Sequence, residues 1–117
     1  MVKKCPIEYT LSMISGKWKT LILKELSHEP IRYGALEKCI QNISPKVLVQ
    51  HLRELEKDGL VQRTIFPVIP PHVEYALTEK GRSIFTVLAE LRRWGLVFDQ
   101  TQVETRCISC EKCLLFA

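Results

Sequence analysis

No apolar run in this 117-residue sequence approaches the roughly 18 residues that a membrane-spanning helix needs. The basic start, Met1-Val2-Lys3-Lys4, is not followed by an apolar stretch of signal-peptide length, because Glu8 interrupts it. A cytoplasmic protein with no membrane partner is therefore expected. Internal repeats, low-complexity tracts and a glycine-rich phosphate loop are also missing, which argues against repeat architectures and P-loop nucleotide enzymes. Cysteine and histidine do not occur together in a catalytic motif, and no strand pattern precedes a Cys-x2-Cys as it does in thioredoxin-like folds. Nothing in the chain points to an enzyme.

What is present fits one small soluble domain: 46% hydrophobic and 26% charged residues in 13.5 kDa. Two features ask for a location, a net charge of +4 and five cysteines. A modest positive excess serves a nucleic-acid partner only where it is clustered. An odd number of cysteines in a reducing compartment argues against a disulfide scaffold and for reactive thiols, metal ligands or simple burial.

The apolar spacing predicts mostly helix. Ile7, Leu11 and Ile14 form a stripe on a short first helix that Ser15-Gly16 breaks, and Trp18, Leu21, Ile22 and Leu26 form a second running to about Ser27. Ile31-Arg32 is a minimal strand, and Tyr33, Leu36 and Ile40 mark a two-turn third helix. Ser44-Pro45 then supplies a capping hydroxyl followed by proline at the first helical position. Ile43 and Leu48 have the spacing of a hydrophobic staple, and Leu48, Leu52 and Leu55 carry the fourth helix to Asp58-Gly59. Leu60 to Phe66 and His72 to Leu77 read as strands around a proline-stiffened loop, Pro67-Val68-Ile69-Pro70-Pro71. Thr78 can cap a last helix from Glu79 to about Phe98, whose apolar side is too wide for one small core, so a second subunit is expected against it.

Helix, turn, capped helix and hairpin in that order describe an α+β, mainly helical winged helix-turn-helix with a long C-terminal dimerisation helix, over residues 1–98, followed by a Cys-rich tail, 99–117. In that fold the fourth helix enters the major groove of double-stranded DNA. With its leucines turned inward, its outer face carries Lys46, Gln50, Arg53 and Lys57, with Val49 beside them. Gln pairs bidentately with adenine, Arg and Lys reach guanine or phosphate, and Val touches a thymine methyl, while Ser44 and Lys46 sit where free N–H groups can hold a phosphate. A basic outer face alone usually marks only a solvated helix. The cap, the staple, the preceding short helix and the stiff wing together favour the groove reader.

Several ordered stretches, Cys5-Pro-Ile-Glu-Tyr-Thr, Gly16-Lys17-Trp18, Leu52 to Val61, Pro70 to Tyr75 and Leu77-Thr-Glu-Lys-Gly-Arg82, resemble the HxlR-type winged helix-turn-helix regulators of bacteria and archaea. The likeness covers Cys5 to about Phe98. It implies a homodimeric transcription factor whose first and last helices form the dimer interface and whose fourth helix and wing bind a pseudo-palindromic operator. Two departures stand out. The family commonly has Arg-Phe-x-Glu-Leu where this chain has Arg32-Tyr33-Gly34-Ala35-Leu36, and His72 stands where a strongly basic residue often follows the wing prolines. A phosphate contact by His72 would weaken as pH rises.

Cys5 precedes Pro6 at the start of the first helix, where the helix dipole, Lys3 and Lys4 favour the thiolate. The resemblance implies redox sensing at that position; the competing reading is a cysteine packed as a small apolar residue in the dimer interface. Cys39 is expected to be a packing residue. The tail trio Cys107, Cys110 and Cys113 has a spacing that can bind metal, as zinc or an iron–sulfur cluster, but offers three ligands where four are needed, so thiol–disulfide chemistry and a disordered tail stay open beside it. Two alternatives to the regulator also stand: a small cysteine-based redox or metal protein, and a winged-helix protein-interaction module without DNA.

Overall fold

The computed structural model of the chain describes residues 5–98, 101, 103 and 108–111. Lys3, Lys4, Cys107 and Cys113 lie outside the described residues. Helix α1 (Pro6–Ile14) is separated from α2 (Lys17–Glu25) by Gly16, whose φ of 84° turns the chain in a conformation that suits glycine. Strand β1 (Ile31–Arg32) leads straight into α3 (Tyr33–Cys39), and α4 (Pro45–Lys57) follows. The hairpin β2 (Val61–Phe66) and β3 (His72–Leu77) precedes α5 (Glu79–Phe98), and a one-turn α6 (Ile108–Glu111) packs against α2.

Helix α4 has well-defined ends for local reasons. The Ser44 Oγ accepts a hydrogen bond from the Val47 amide at 3.2 Å, and Pro45 occupies the first turn. At the other end Gly59 adopts φ 79°, its amide donates to the Glu56 carbonyl at 3.0 Å, and the Leu60 amide reaches back to the Leu55 carbonyl at 3.0 Å. This paired closure brings the buried Leu55 and Leu60 together and sends the chain into the wing.

The stretch from Thr78 to Arg82 then locks α5 onto that junction. The Thr78 hydroxyl accepts from the Gly81 amide at 3.0 Å and donates to the Gly59 carbonyl at 2.6 Å. Lys80 Nζ donates to the Asp58 carbonyl at 2.9 Å and to the Tyr9 hydroxyl at 2.8 Å, and Arg82 Nη1 donates to the Ser27 carbonyl at 3.3 Å. Gly81 lies so close to the chain that a Cβ there would stand 2.1 Å from the Leu60 carbonyl oxygen.

In the sheet, β1 and β2 both pair antiparallel with β3, giving the order β1-β3-β2. Pairing of Val61 with Leu77, Arg63 with Tyr75 and Ile65 with Val73 puts those residues on one face, and alternation puts Thr64, Glu74, Phe66 and His72 on the other. The core joins Ile22, Leu23 and Leu26 of α2, Leu36 of α3, Leu48, Leu52 and Leu55 of α4, and Ile84, Phe85 and Leu88 of α5 with Tyr75 and Leu77 of the sheet.

Two sequence expectations change here, those for Cys39 and Lys19. Cys39 is exposed, because α3 turns Leu36 and Ile40 into the core and leaves Cys39 outside. Of the α1 stripe only Ile14 is buried, while Ile7 and Leu11 face outward. Lys19, which the pattern places on a polar face, is buried to 7% exposure beside Glu54.

Candidate nucleic-acid interface

Helix α4 buries Leu48, Leu52 and Leu55 completely and presents Lys46, Gln50, Arg53 and Lys57 to solvent. The exposed set recurs at intervals of four, three and four residues, so the helical period places it in one line along the outer face. Val49 is half-buried next to it, and Ser44 is exposed at the N-terminal end with its hydroxyl engaged in the cap. Lys46, Val49, Gln50 and Arg53 border a shallow depression together with Pro45 and Glu54. Geometry thus collects six of the seven expected contact residues on one helix.

His72, the seventh, sits at the root of the wing in a more constrained setting. Its ring stacks on Phe66 with centroids 4.7 Å apart, and its Nε2 lies 3.3 Å from the Glu74 carboxylate. A groove beside α4 contains Val49 from the helix, His72 and Val73 from the wing, and Arg32 and Lys38 from β1 and α3. Arg32 and Lys38 are exposed there, and sequence reasoning missed both. Their signal was faint, since single cations flanking the short third helix show no periodicity; only the three-dimensional approach of α3 to the wing joins them to the α4 face.

The wing leans on the C-terminal half of α4. Arg63 Nε stands 3.9 Å from the Glu56 carboxylate. Tyr75 lies beneath this contact, and burial foremost pushes its hydroxyl pKa up, with Arg63, Glu56 and Arg53 as the charged groups around it. On α3, burial and the neighbouring Glu37 carboxylate raise Tyr33, whose hydroxyl donates to Glu37 at 3.3 Å. Both tyrosines therefore serve as neutral walls of the groove.

Behind the outer face, Lys19 Nζ of α2 lies 3.6 Å from Glu54 Oε2, and His51 Nδ1 stands 3.9 Å from the same oxygen. This ion pair ties α4 to α2 and has no counterpart in the apolar pattern. Cys5 is exposed at the start of α1, and the amide groups of Glu8 and then Ile7 hold its thiol below the ordinary range. Cys110 is buried, with Lys24 Nζ 3.7 Å from its sulfur. Among the described residues no three metal-binding side chains come together.

A family model for HxlR-like helix-turn-helix proteins matches residues 13–103. An uncharacterized HTH-type transcriptional regulator of Bacillus subtilis, YdzF, is 44% identical over 95 residues, covering 80% of this chain and 87% of its own. A further HTH-type transcriptional regulator, from Methanothermobacter thermautotrophicus, is 40% identical over 98 residues, 84% of this chain and 75% of its own. Among solved structures, the reduced form of the transcriptional regulator YodB from B. subtilis aligns with a TM-score of 0.77 at 33% identity, over 86% of this chain and 100% of that one. The redox regulator HypR in its oxidized form aligns with a TM-score of 0.73 at 34% identity, over 86% and 100% of the two chains. With its capped α4, its wing and these relatives, the chain belongs to the HxlR-like helix-turn-helix family and is a transcriptional regulator with a DNA-binding winged helix.

Proposed function

We propose that the protein acts as a homodimer that reads a pseudo-palindromic operator in double-stranded DNA and changes its grip on that operator when Cys5 is modified by an oxidant or electrophile. The observation that carries the DNA reading is the outer face of α4, where Lys46, Gln50, Arg53 and Lys57 are all exposed while the leucines behind them are buried. Val49 and Ser44 complete the contact on that helix, and His72 adds one from the wing root. Residues 1–98 carry these functions.

The dimer is supported by apolar surface that one chain leaves uncovered. Ile7 and Leu11 of α1 and Val87 and Leu91 of α5 line one shallow groove, and Trp94, Val97 and Phe98 continue the exposed surface along α5. An uncovered apolar area of this extent on a small soluble protein marks an association site. In a two-fold dimer, two α4 helices roughly 34 Å apart meet successive major-groove faces of one duplex. Cys5 stands at the start of α1, beside this surface, so a group added to its sulfur alters the packing of the two chains and with it the spacing of the α4 helices. Solved relatives described as a redox regulator in oxidized and reduced forms support a thiol signal. The tail cysteines Cys107 and Cys113 lie outside the described residues, and zinc or cluster binding with Cys110 is a separate input to be examined by metal analysis of anaerobically purified protein.

Duplexes selected by the protein from a random-sequence pool test this reading. Two chains bound per duplex, two-fold related half-sites and affinity that falls steeply with salt are expected. Failure to enrich any sequence, or binding insensitive to salt, would favour a protein-interaction module. Release of the selected duplex by oxidant from a Cys5→Ser variant would remove Cys5 as the sensor.

A further inference from the structure

Lys80 joins three helices at one ammonium group. From the first turn of α5 its Nζ donates to the Asp58 carbonyl at 2.9 Å and to the Tyr9 hydroxyl at 2.8 Å, and it stands 5.3 Å from the centroid of the Tyr9 ring. Asp58 caps the C-terminal end of α4, where helix carbonyls lack partners and the dipole is negative. A lysine donor at that point fixes the end of the helix.

Tyr9 brings α1 into this group. It lies two residues from both Ile7 and Leu11, so the helical period turns it to the side of α1 opposite their exposed stripe. One side of α1 is apolar and uncovered, while the other is tied to α4 and α5 of its own chain. The Tyr9 amide also donates to the Cys5 carbonyl at 2.9 Å, the bond that opens the helix. Cys5, Tyr9, Lys80 and Asp58 thus form a continuous series of hydrogen bonds from the first turn of α1 to the last turn of α4. Tyr9 and Lys80 are exposed, and a hydrogen bond between two exposed side chains adds little to stability. Its consequence is geometric, because it sets where α1 stands relative to the end of α4.

We propose that Tyr9 and Lys80 are positioning residues that carry a change at Cys5 to α4 within one chain. The proposal rests on the Cys5 reading above and supplies a route by which that thiol acts on the DNA-binding helix. A group added to the sulfur displaces it from the amides of Glu8 and Ile7 and loosens the first turn of α1. Tyr9 then withdraws its hydroxyl, Lys80 is no longer held against the Asp58 carbonyl, and the C-terminal end of α4 is released.

The test uses the full chain carrying Cys39→Ser, Cys107→Ser and Cys113→Ser, treated with iodoacetamide so that the Cys5 thiolate displaces iodide and forms a thioether. Intact mass verifies a single added group. Two quantities are measured before and after alkylation: affinity for a duplex selected by the unmodified protein, and hydrogen exchange of the Asp58, Gly59 and Leu60 amides that close α4. Alkylation is expected to weaken duplex binding about ten-fold and to speed exchange of those amides by a similar factor. Tyr9→Phe keeps the ring and removes the acceptor, so it should resemble the alkylated parent in both quantities, and alkylating it should change either by about two-fold or less. Lys80→Met should behave in the same way, whereas Lys80→Arg keeps a donor and should restore both the affinity and the response to alkylation. Parent-like affinity and exchange in Tyr9→Phe would overturn the proposal, as would a full alkylation effect added to that of the substitution, which is what a merely structural role predicts. Exchange at the end of α4 that does not respond to alkylation in the parent would overturn it too. Faster exchange in the parent with unchanged duplex affinity would leave the link standing and defeat the sensor reading of Cys5 alone.

Discussion

Lys19 and Glu54 stand 3.6 Å apart across the α2–α4 boundary, with the lysine side chain only 9% exposed and the glutamate side chain 38% exposed. The separation is that of an ion pair without a close hydrogen bond, and Glu54 Oε2 has no hydrogen-bond partner among the described residues. The attraction holds the back of α4 while its front faces outward, so the same helix is anchored by leucines, by its cap and by one buried charge.

Lys19→Met removes the charge and keeps the aliphatic stem, leaving Glu54 without its cation. A loss of about 1–2 kcal/mol in urea unfolding is expected, below the cost of breaking a fully buried pair because Glu54 remains partly hydrated. The double variant Lys19→Met/Glu54→Leu should lose less than the sum of the single changes. Strict additivity would mean that the two charges do not interact.

Gly81→Ala forces a Cβ against the Leu60 carbonyl oxygen, at 2.1 Å before any movement. Backbone cannot yield as a flexible side chain does, so α5 must lift from the α4–β2 junction and release the Thr78 bonds. About 3 kcal/mol or more should be lost, lowering the midpoint of thermal unfolding by roughly 10 °C or more. Gly34→Ala, where a Cβ meets nothing within 4 Å, should shift stability by less than about 1 kcal/mol. Equal tolerance of both changes would contradict the close approach.

These two cases mark what the sequence could and could not reveal. The Ser44 cap, the Gly59 termination and the three inward leucines are local signals, and local chemistry enforces them wherever the chain is placed. Period alone identified the outer face of α4 for the same reason. It failed for Lys19, because a lysine at a polar helical position gives no hint that a glutamate 35 positions later will close over it. It failed for Arg32 and Lys38 because their grouping depends on how α3 meets the wing. The sequence does show Thr78 as the cap of the last helix, and the Gly81 amide bonds its hydroxyl. Its bond to the Gly59 carbonyl, the bonds of Lys80 and Arg82 to the Asp58 and Ser27 carbonyls and the approach of Gly81 to the Leu60 carbonyl stay hidden, since any residue could supply those carbonyl groups. The stripe of α1 reads as helical, and the structure leaves Ile7 and Leu11 of it exposed, since periodicity marks an apolar helical face without saying what covers it.

The lowered pKa of Cys5 has a pH consequence. Amide groups of Glu8 and Ile7 stabilise the thiolate only while α1 is folded, so alkylation of Cys5 should persist to lower pH in the native protein than in urea. Mass spectrometry after brief iodoacetamide treatment across pH 5 to 10 would give the two midpoints, with that of the native protein the lower. Coincident profiles would show that the helix start does not activate this thiol.

The central claim is that the outer face of α4 reads base identity, and Arg53 tests it most directly. Affinities of the wild-type protein and of Arg53→Ala should be compared on a selected operator and on an unrelated duplex at one salt concentration. Loss of a base contact predicts that operator binding falls roughly 10- to 100-fold while binding to the unrelated duplex changes little, so the specificity ratio drops. A parallel fall on both duplexes, with the ratio unchanged, would contradict base readout by this face of the helix.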